Sequence, residues 1–131
     1  MVKRYIAFLT PKNYPRIDIV AFNPKNGKQV NIQVKTTEEK SFIFSKFKKT
    51  EIETKFKEPY VFVHVSKDRE SIRFFIVPGK EVAKLIIQRW EEWKKSARHK
   101  KQIAPFEEHA HDLLIEQLEK YENKWENLGL E

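Results

Sequence analysis

Residues 15–37, PRIDIVAFNPKNGKQVNIQVKTT, constrain the fold more than any other stretch. Two strand-like runs, Ile17 to Phe22 and Val30 to Thr36, flank Asn23-Pro24-Lys25-Asn26-Gly27, and Asn-Gly between alternating apolar runs is a strong hairpin signal. The return strand alternates, with Val30, Ile32 and Val34 on one face and Asn31, Gln33 and Lys35 on the other. An antiparallel pairing brings Asp18, near the start of the first strand, close to Gln33 and Lys35, near the end of its partner. A carboxylate and an ammonium set into apolar strands need a reason, because buried charge is costly unless it is paired or bound to metal.

The rest of the first 78 residues reads as further short β segments. Tyr5 to Leu9 is a short apolar run, and Ser41 to Ser45 is a second candidate strand. Tyr60 to Val65 (YVFVHV) and Ile72 to Val77 (IRFFIV), linked by the polar stretch Ser66 to Ser71, predict another hairpin. Between Lys46 and Glu58 the charged sequence allows a short helix. After Pro78-Gly79 the period becomes helical. Val82, Ile86, Trp90, Trp93 and Ala97 form one stripe, which predicts an amphipathic helix over Glu81 to Arg98. A second helix is expected from about Pro105, with Phe106, Ala110, Leu114, Leu118, Tyr121, Trp125 and Leu128 on one side. Its heptad-like spacing suits a homodimer as well as docking on its own domain.

The chain has 131 residues, which fits one domain, with a mainly β core over 1–78 and a helical part over 79–131. It has no cysteine, which excludes disulfides, thiolate zinc sites and cysteine nucleophiles; no apolar run has the length of a membrane span, and a cytoplasmic location is expected. Residues 1–78 carry 16 Lys/Arg against 8 Asp/Glu, residues 79–101 carry 8 against 3, and residues 102–131 carry 2 against 8. A basic body with an acidic tail suits a polyanionic partner. Lys46, Lys48 and Lys49, just after the hairpin, and Lys94, Lys95, Arg98 and Lys101, at the end of the predicted helix, are the candidate phosphate contacts.

Phosphodiester hydrolysis would explain polar groups of these types at this spacing. An aspartate can hold Mg²⁺ (or Mn²⁺), which activates water and polarises the phosphoryl oxygen, while a neighbouring ammonium stabilises developing charge. With RIDIVAF, a turn, and then NIQVKTT, the chain resembles the PD-(D/E)xK nuclease superfamily, in particular small archaeal and bacterial proteins whose motif ends in Q-V-K-T; YVFVHV and FFIVPGKEV look like that group's following strands. The resemblance implies a restriction-endonuclease-like α/β core with a mixed sheet of about five strands and C-terminal amphipathic helices. It further implies Asp18 as the metal-binding aspartate, Lys35 as the catalytic lysine, Gln33 in the place of a second acidic ligand, and the Val34 carbonyl as a further ligand. The expected activity is that of a Mg²⁺-dependent endonuclease on DNA.

Two features depart from the superfamily's pattern. Gln33 supplies a neutral oxygen where an acid is usual, which weakens a Mg²⁺ site; Glu38, Glu39, Glu51 and Glu53 are all possible substitutes. The superfamily core also begins with a helix, whereas strand-like sequence starts here at Tyr5, leaving one sheet face for the C-terminal helices or a second subunit to cover. The alternatives are a non-catalytic nucleic-acid-binding module on the same fold, and an assembly protein working through its C-terminal helices. His109 and His111, two apart on the expected helix, point about 200° apart and read as a solvated face rather than a metal pair. His64 reads as a half-buried strand residue, and Trp90 and Trp93 as core rather than base-stacking groups.

Overall fold

A computed structural model describes residues 5–9, 18–96 and 103–131. Arg98 and Lys101 lie outside the described residues. The strands are β1 (Ile6–Leu9), β2 (Ile19–Phe22), β3 (Gln29–Thr37), β4 (Ser41–Phe44), β5 (Tyr60–Val65), β6 (Ile72–Val77) and β7 (His111–Leu114). The helices are α1 (Ile52–Lys55) and the long α2 (Gly79–Ser96), with 3₁₀ turns at Lys49–Glu51, Phe106–Glu108, Ile115–Tyr121 and Trp125–Leu128.

Five strands form a mixed sheet in the order β1-β2-β3-β5-β6, and β4 pairs with β7 in a separate two-stranded sheet. The expected hairpins are present: β2 pairs antiparallel with β3, and β5 with β6. Gly27 takes φ +75° at the first turn, a conformation open to glycine at little steric cost, and its N–H donates to the Asn23 carbonyl at 2.9 Å. β3 and β5 run parallel, with Gln33 opposite Tyr60 and Lys35 opposite Phe62. Parallel neighbours need a crossover of a dozen residues or more, and the segment containing β4 and α1 supplies it.

The apolar runs of β5 and β6 serve two cores, as strands buried on both faces do. Phe62, Phe75 and Val77 pack with Phe42, Phe44, Val82, Ile86 and Leu113 beneath α2 and the small sheet. Val61 and Ile76 face the other way, against Ala21, Ile32, Leu128 and Leu130. The end of the chain thus covers the second face over β3, β5 and β6, while β1 at the sheet edge stays exposed. Arg73 on β6 donates to both carboxylate oxygens of Glu122 at 3.0 and 2.9 Å, while Asn23 and Asn26, in the β2–β3 turn, both donate to the Leu130 carbonyl, at 2.7 and 3.0 Å.

The helix expected from Pro105 to Leu128 does not form. His111–Leu114 instead pairs with β4, Phe42 lying opposite Leu113 and Phe44 opposite His111, and alternate residues of both strands are buried. The pairing satisfies backbone groups of β4 and adds Leu113 to the core, which overrides the local helical spacing. Beyond it, Ile115, Leu118 and Tyr121 recur every third residue, the period of a 3₁₀ helix rather than of an α-helix, and this side packs on the core. With no long helix there, the heptad seam invoked for a homodimer is absent. The solvated-face reading of His109 and His111 also falls. His111 is 6% exposed and stacks on Phe106 with ring centroids 3.9 Å apart. Burial lowers its pKa, which favours the neutral imidazole.

Candidate active site

The residues singled out on the hairpin converge. Asp18, Gln33, Val34 and Lys35 line one cleft of about 830 Å³, whose opposite wall comes from the crossover segment, including Lys46, Lys48, Glu51 and Lys55. The local cause is strand geometry. The Gln33 N–H donates to the Pro59 carbonyl at 3.0 Å, on the β5 side, so the next residue along turns its backbone to the β2 side. There the Val34 N–H donates to Asp18 Oδ2 at 2.8 Å. A strand residue sends its N–H and C=O to the same side, which directs the Val34 carbonyl toward Asp18 as well. The Asp18 N–H in turn donates to the Ile32 carbonyl at 3.0 Å.

Lys35 lies half-buried, its ammonium 4.8 Å from the centre of the Phe44 ring. Lys55 sits across the same aromatic floor, 5.4 Å from the Phe47 ring and 5.9 Å from that of Phe56. An ammonium over a ring face gains cation–π attraction, which partly replaces lost water. The replacement is incomplete. Burial lowers the Lys35 pKa, the charge of Lys55 lowers it further, and Asp18 acts in the opposite sense. Tyr60, 5% exposed at the base of the cleft, has its phenol pushed up to about 12 by burial and by the Asp18 charge.

Of the possible substitute carboxylates, Glu51 lines this cleft. Glu38 and Glu39 pair with Arg69 and Lys67 at 3.4 and 2.9 Å, and Glu53 lines a different cleft. Tyr60 and Glu107 also line the cleft, and neither carries a local sequence signal for it. Glu107 falls within the helix expected from Pro105, and its arrival beside Lys49, whose N–H donates to it at 3.3 Å, depends on the β4–β7 pairing. Lys46 and Lys48 stand in the cleft; Lys49 is outside its lining; Lys94 and Lys95 lie at the far end of α2.

Among the described residues no group of three or more His, Cys, Asp or Glu side chains is placed to hold a metal ion. The donors brought together on the hairpin are the exposed Asp18 carboxylate, the half-buried Gln33 amide and the Val34 carbonyl, with Glu51 and Glu107 elsewhere on the cleft wall. That set fits a hydrated Mg²⁺ whose coordination is completed by water and a bound phosphate, the usual manner for this ion, and does not make a tight all-protein cage. Also among the described residues, no helix is long and apolar enough to cross a membrane. No known protein family, curated protein or solved structure matches the chain.

Proposed function

We propose that the protein is a Mg²⁺-dependent nuclease of the PD-(D/E)xK kind, hydrolysing nucleic-acid phosphodiesters, with DNA the first substrate to test. The observation that carries this reading is the convergence of Asp18, Gln33, Val34 and Lys35 on one cleft that also holds Lys46, Lys48 and Lys55. The succession of hairpin, charged crossover and further strand, and a mixed sheet with a single parallel pair, also suit a restriction-endonuclease-like core.

Asp18 and the oxygens of Gln33 and Val34 would hold the ion, and Mg²⁺ bound there would lower the pKa of its water and polarise the phosphoryl oxygen. The Val34 N–H fixes the Asp18 carboxylate by binding Oδ2. Lys35, held over Phe44, would supply a partly dehydrated positive charge to stabilise the negative charge that develops on the attacking water and the phosphoryl oxygens. Lys46, Lys48 and Lys55 attract and orient the flanking phosphates. Tyr60, with its raised pKa, stays a neutral hydrogen-bonding group rather than a base at neutral pH.

The test is incubation of the purified protein with supercoiled, linear, single-stranded and branched DNA and with RNA, with and without Mg²⁺. Metal-dependent cleavage is expected, falling by about 10²- to 10³-fold in Asp18→Asn and in Lys35→Ala, the loss typical of removing one charge-stabilising group. A folded wild-type protein that cuts none of these would sink the proposal. Gln33 and the lack of a three-acid cluster favour one second reading, a non-catalytic nucleic-acid-binding module. It requires salt-sensitive binding that survives Asp18→Asn, with no cleavage at any metal concentration.

A further inference from the structure

We propose that the cleft between the last turns of α2 and the segment leading into β7 is a nucleobase pocket, which makes the substrate a strand with an unpaired base. The proposal rests on the nuclease reading for its biological use, though not for its chemistry. The cleft has a volume of about 530 Å³, within the range of small-ligand sites, and is lined by Arg89, Trp90, Trp93, Ser96 and His109 among others.

Trp90 belongs to the core, as its stripe position predicts, but Trp93 is only half-buried. The two indoles stack 5.3 Å apart at 21°, and the His109 ring meets both, 4.9 Å from Trp93 and 5.0 Å from Trp90. His109 is held by its Nε2, 3.1 Å from the Ala104 carbonyl. The three rings are thus held against one another before any ligand arrives, and the half-buried Trp93 and His109 are the ones that reach the cleft surface. Polar groups stand around it: Arg89 is locked to Asp112 by bonds of 2.6 and 3.2 Å, and Glu92 and Ser96 lie on the same helix. Aromatic rings with hydrogen-bonding groups at their edges are what proteins use to hold an unstacked base, and the Lys94 ammonium, 5.7 Å from the centre of the Trp90 ring and 3.1 Å from Glu91, is the nearby cation for its phosphate. A purely apolar ligand would leave those edges unmatched.

The position ties this pocket to the Asp18–Lys35 cleft. Phe47 lines that cleft, its ring is 5.3 Å from Phe106, and Phe106 is 5.6 Å from Trp90. Two ring contacts therefore separate the sites, a span short enough for neighbouring nucleotides of one strand. A base inside a duplex cannot enter such a pocket without leaving its stack, so single-stranded, bulged or flapped nucleic acid is favoured.

The experiment uses the full chain carrying Lys35→Ala, without divalent metal, so that binding is read apart from any cleavage. Binding of a single-stranded oligothymidylate and of a blunt duplex of equal length is followed by tryptophan fluorescence and by filter retention. Tighter binding of the single strand, with quenched fluorescence, is expected, and Trp93→Ala and His109→Ala should each weaken it by about tenfold. Equal affinity for the duplex, or undiminished single-strand binding in His109→Ala, would overturn the proposal; His109→Ala decides if Trp93→Ala does not fold. The parent reading fails separately. A wild-type protein that binds and quenches with single strands yet cuts nothing refutes the nuclease and leaves the pocket, whereas one that cuts intact duplex equally well with and without His109→Ala refutes the pocket and leaves the nuclease.

Discussion

Two clefts of similar size flank the short helix α1, and they are opposite in character. One, of about 830 Å³, holds Asp18, Gln33, Lys35 and Lys55; the other, of about 760 Å³, is walled by Ile52, Phe56, Ala83, Ile87 and Leu128, with Lys57, Lys80 and Lys84 around it. Volume does not distinguish them. A single turn does, because Thr54 and Lys55 fall on one side and Ile52, Phe56 and Lys57 on the other. The polar cleft gets its chemistry from strand ends, where alternate residues can be polar without breaking the core. The apolar cleft lies between packed helices, and α2 comes so close that a Cβ on Gly79 would meet the Phe56 carbonyl oxygen at 2.3 Å.

The largest expected effect comes from removing the partition. Phe56 is 2% exposed, edge-on to Phe44 and Phe47, and lines the apolar cleft. Phe56→Ala should destabilise the protein by about 3–5 kcal/mol and lower cleavage with it, measured by urea denaturation and nuclease assay. Unchanged stability would mean that the two clefts are not held apart by this ring.

Next is Lys35, where stability and activity are expected to part company. Lys35→Met should cut activity by about 10²-fold or more. It should also raise the denaturation midpoint at neutral pH, because the folded state holds a partly buried charge whose pKa is lowered. The sign follows from proton counting. Between the lowered folded pKa and the ordinary lysine value of 10.5 the unfolded chain binds more protons, so wild-type stability gains from this group as pH rises through that window. The stability gap between variant and wild type should therefore narrow in the alkaline range. A gap that widens would assign Lys35 a net stabilising role.

Gln33→Glu comes third. Adding the acid that the superfamily's pattern carries should lower the Mg²⁺ concentration needed for half-maximal cleavage by about tenfold, read from a metal titration. No change would argue that Gln33 is not a ligand. The smallest effect is expected on the apolar side: Lys80→Ala, at an exposed position, should alter stability by no more than about 0.5 kcal/mol and leave cleavage unchanged. A loss of cleavage there would make the two clefts one functional unit.

Much of the polar cleft was legible because it depends on local signals. The Asn26-Gly27 turn fixes the register of β2 against β3, and the two-residue period places Gln33 and Lys35 on one face whatever packs above them. Tyr60–Val65 and Ile72–Val77 appear as strands with the bounds their composition predicts. The aromatic pocket and Glu107 were hidden for the converse reason. Their segment has helical spacing in isolation, and only the distant β4, left unpaired by the main sheet, turns it into a strand.

The sequence by itself determined the hairpin, the order of strands along the chain, the long helix after Gly79 and the meeting of Asp18 with Gln33 and Lys35, since each follows from neighbours within one or two elements. Tertiary structure alone decided that β3 and β5 run parallel, that the chain's end covers the second sheet face over β3, β5 and β6, that Glu51 rather than Glu38, Glu39 or Glu53 lines the cleft, and that His111 is buried. Those outcomes depend on which distant surfaces bury apolar area and satisfy backbone hydrogen bonds together, and no local pattern records that competition.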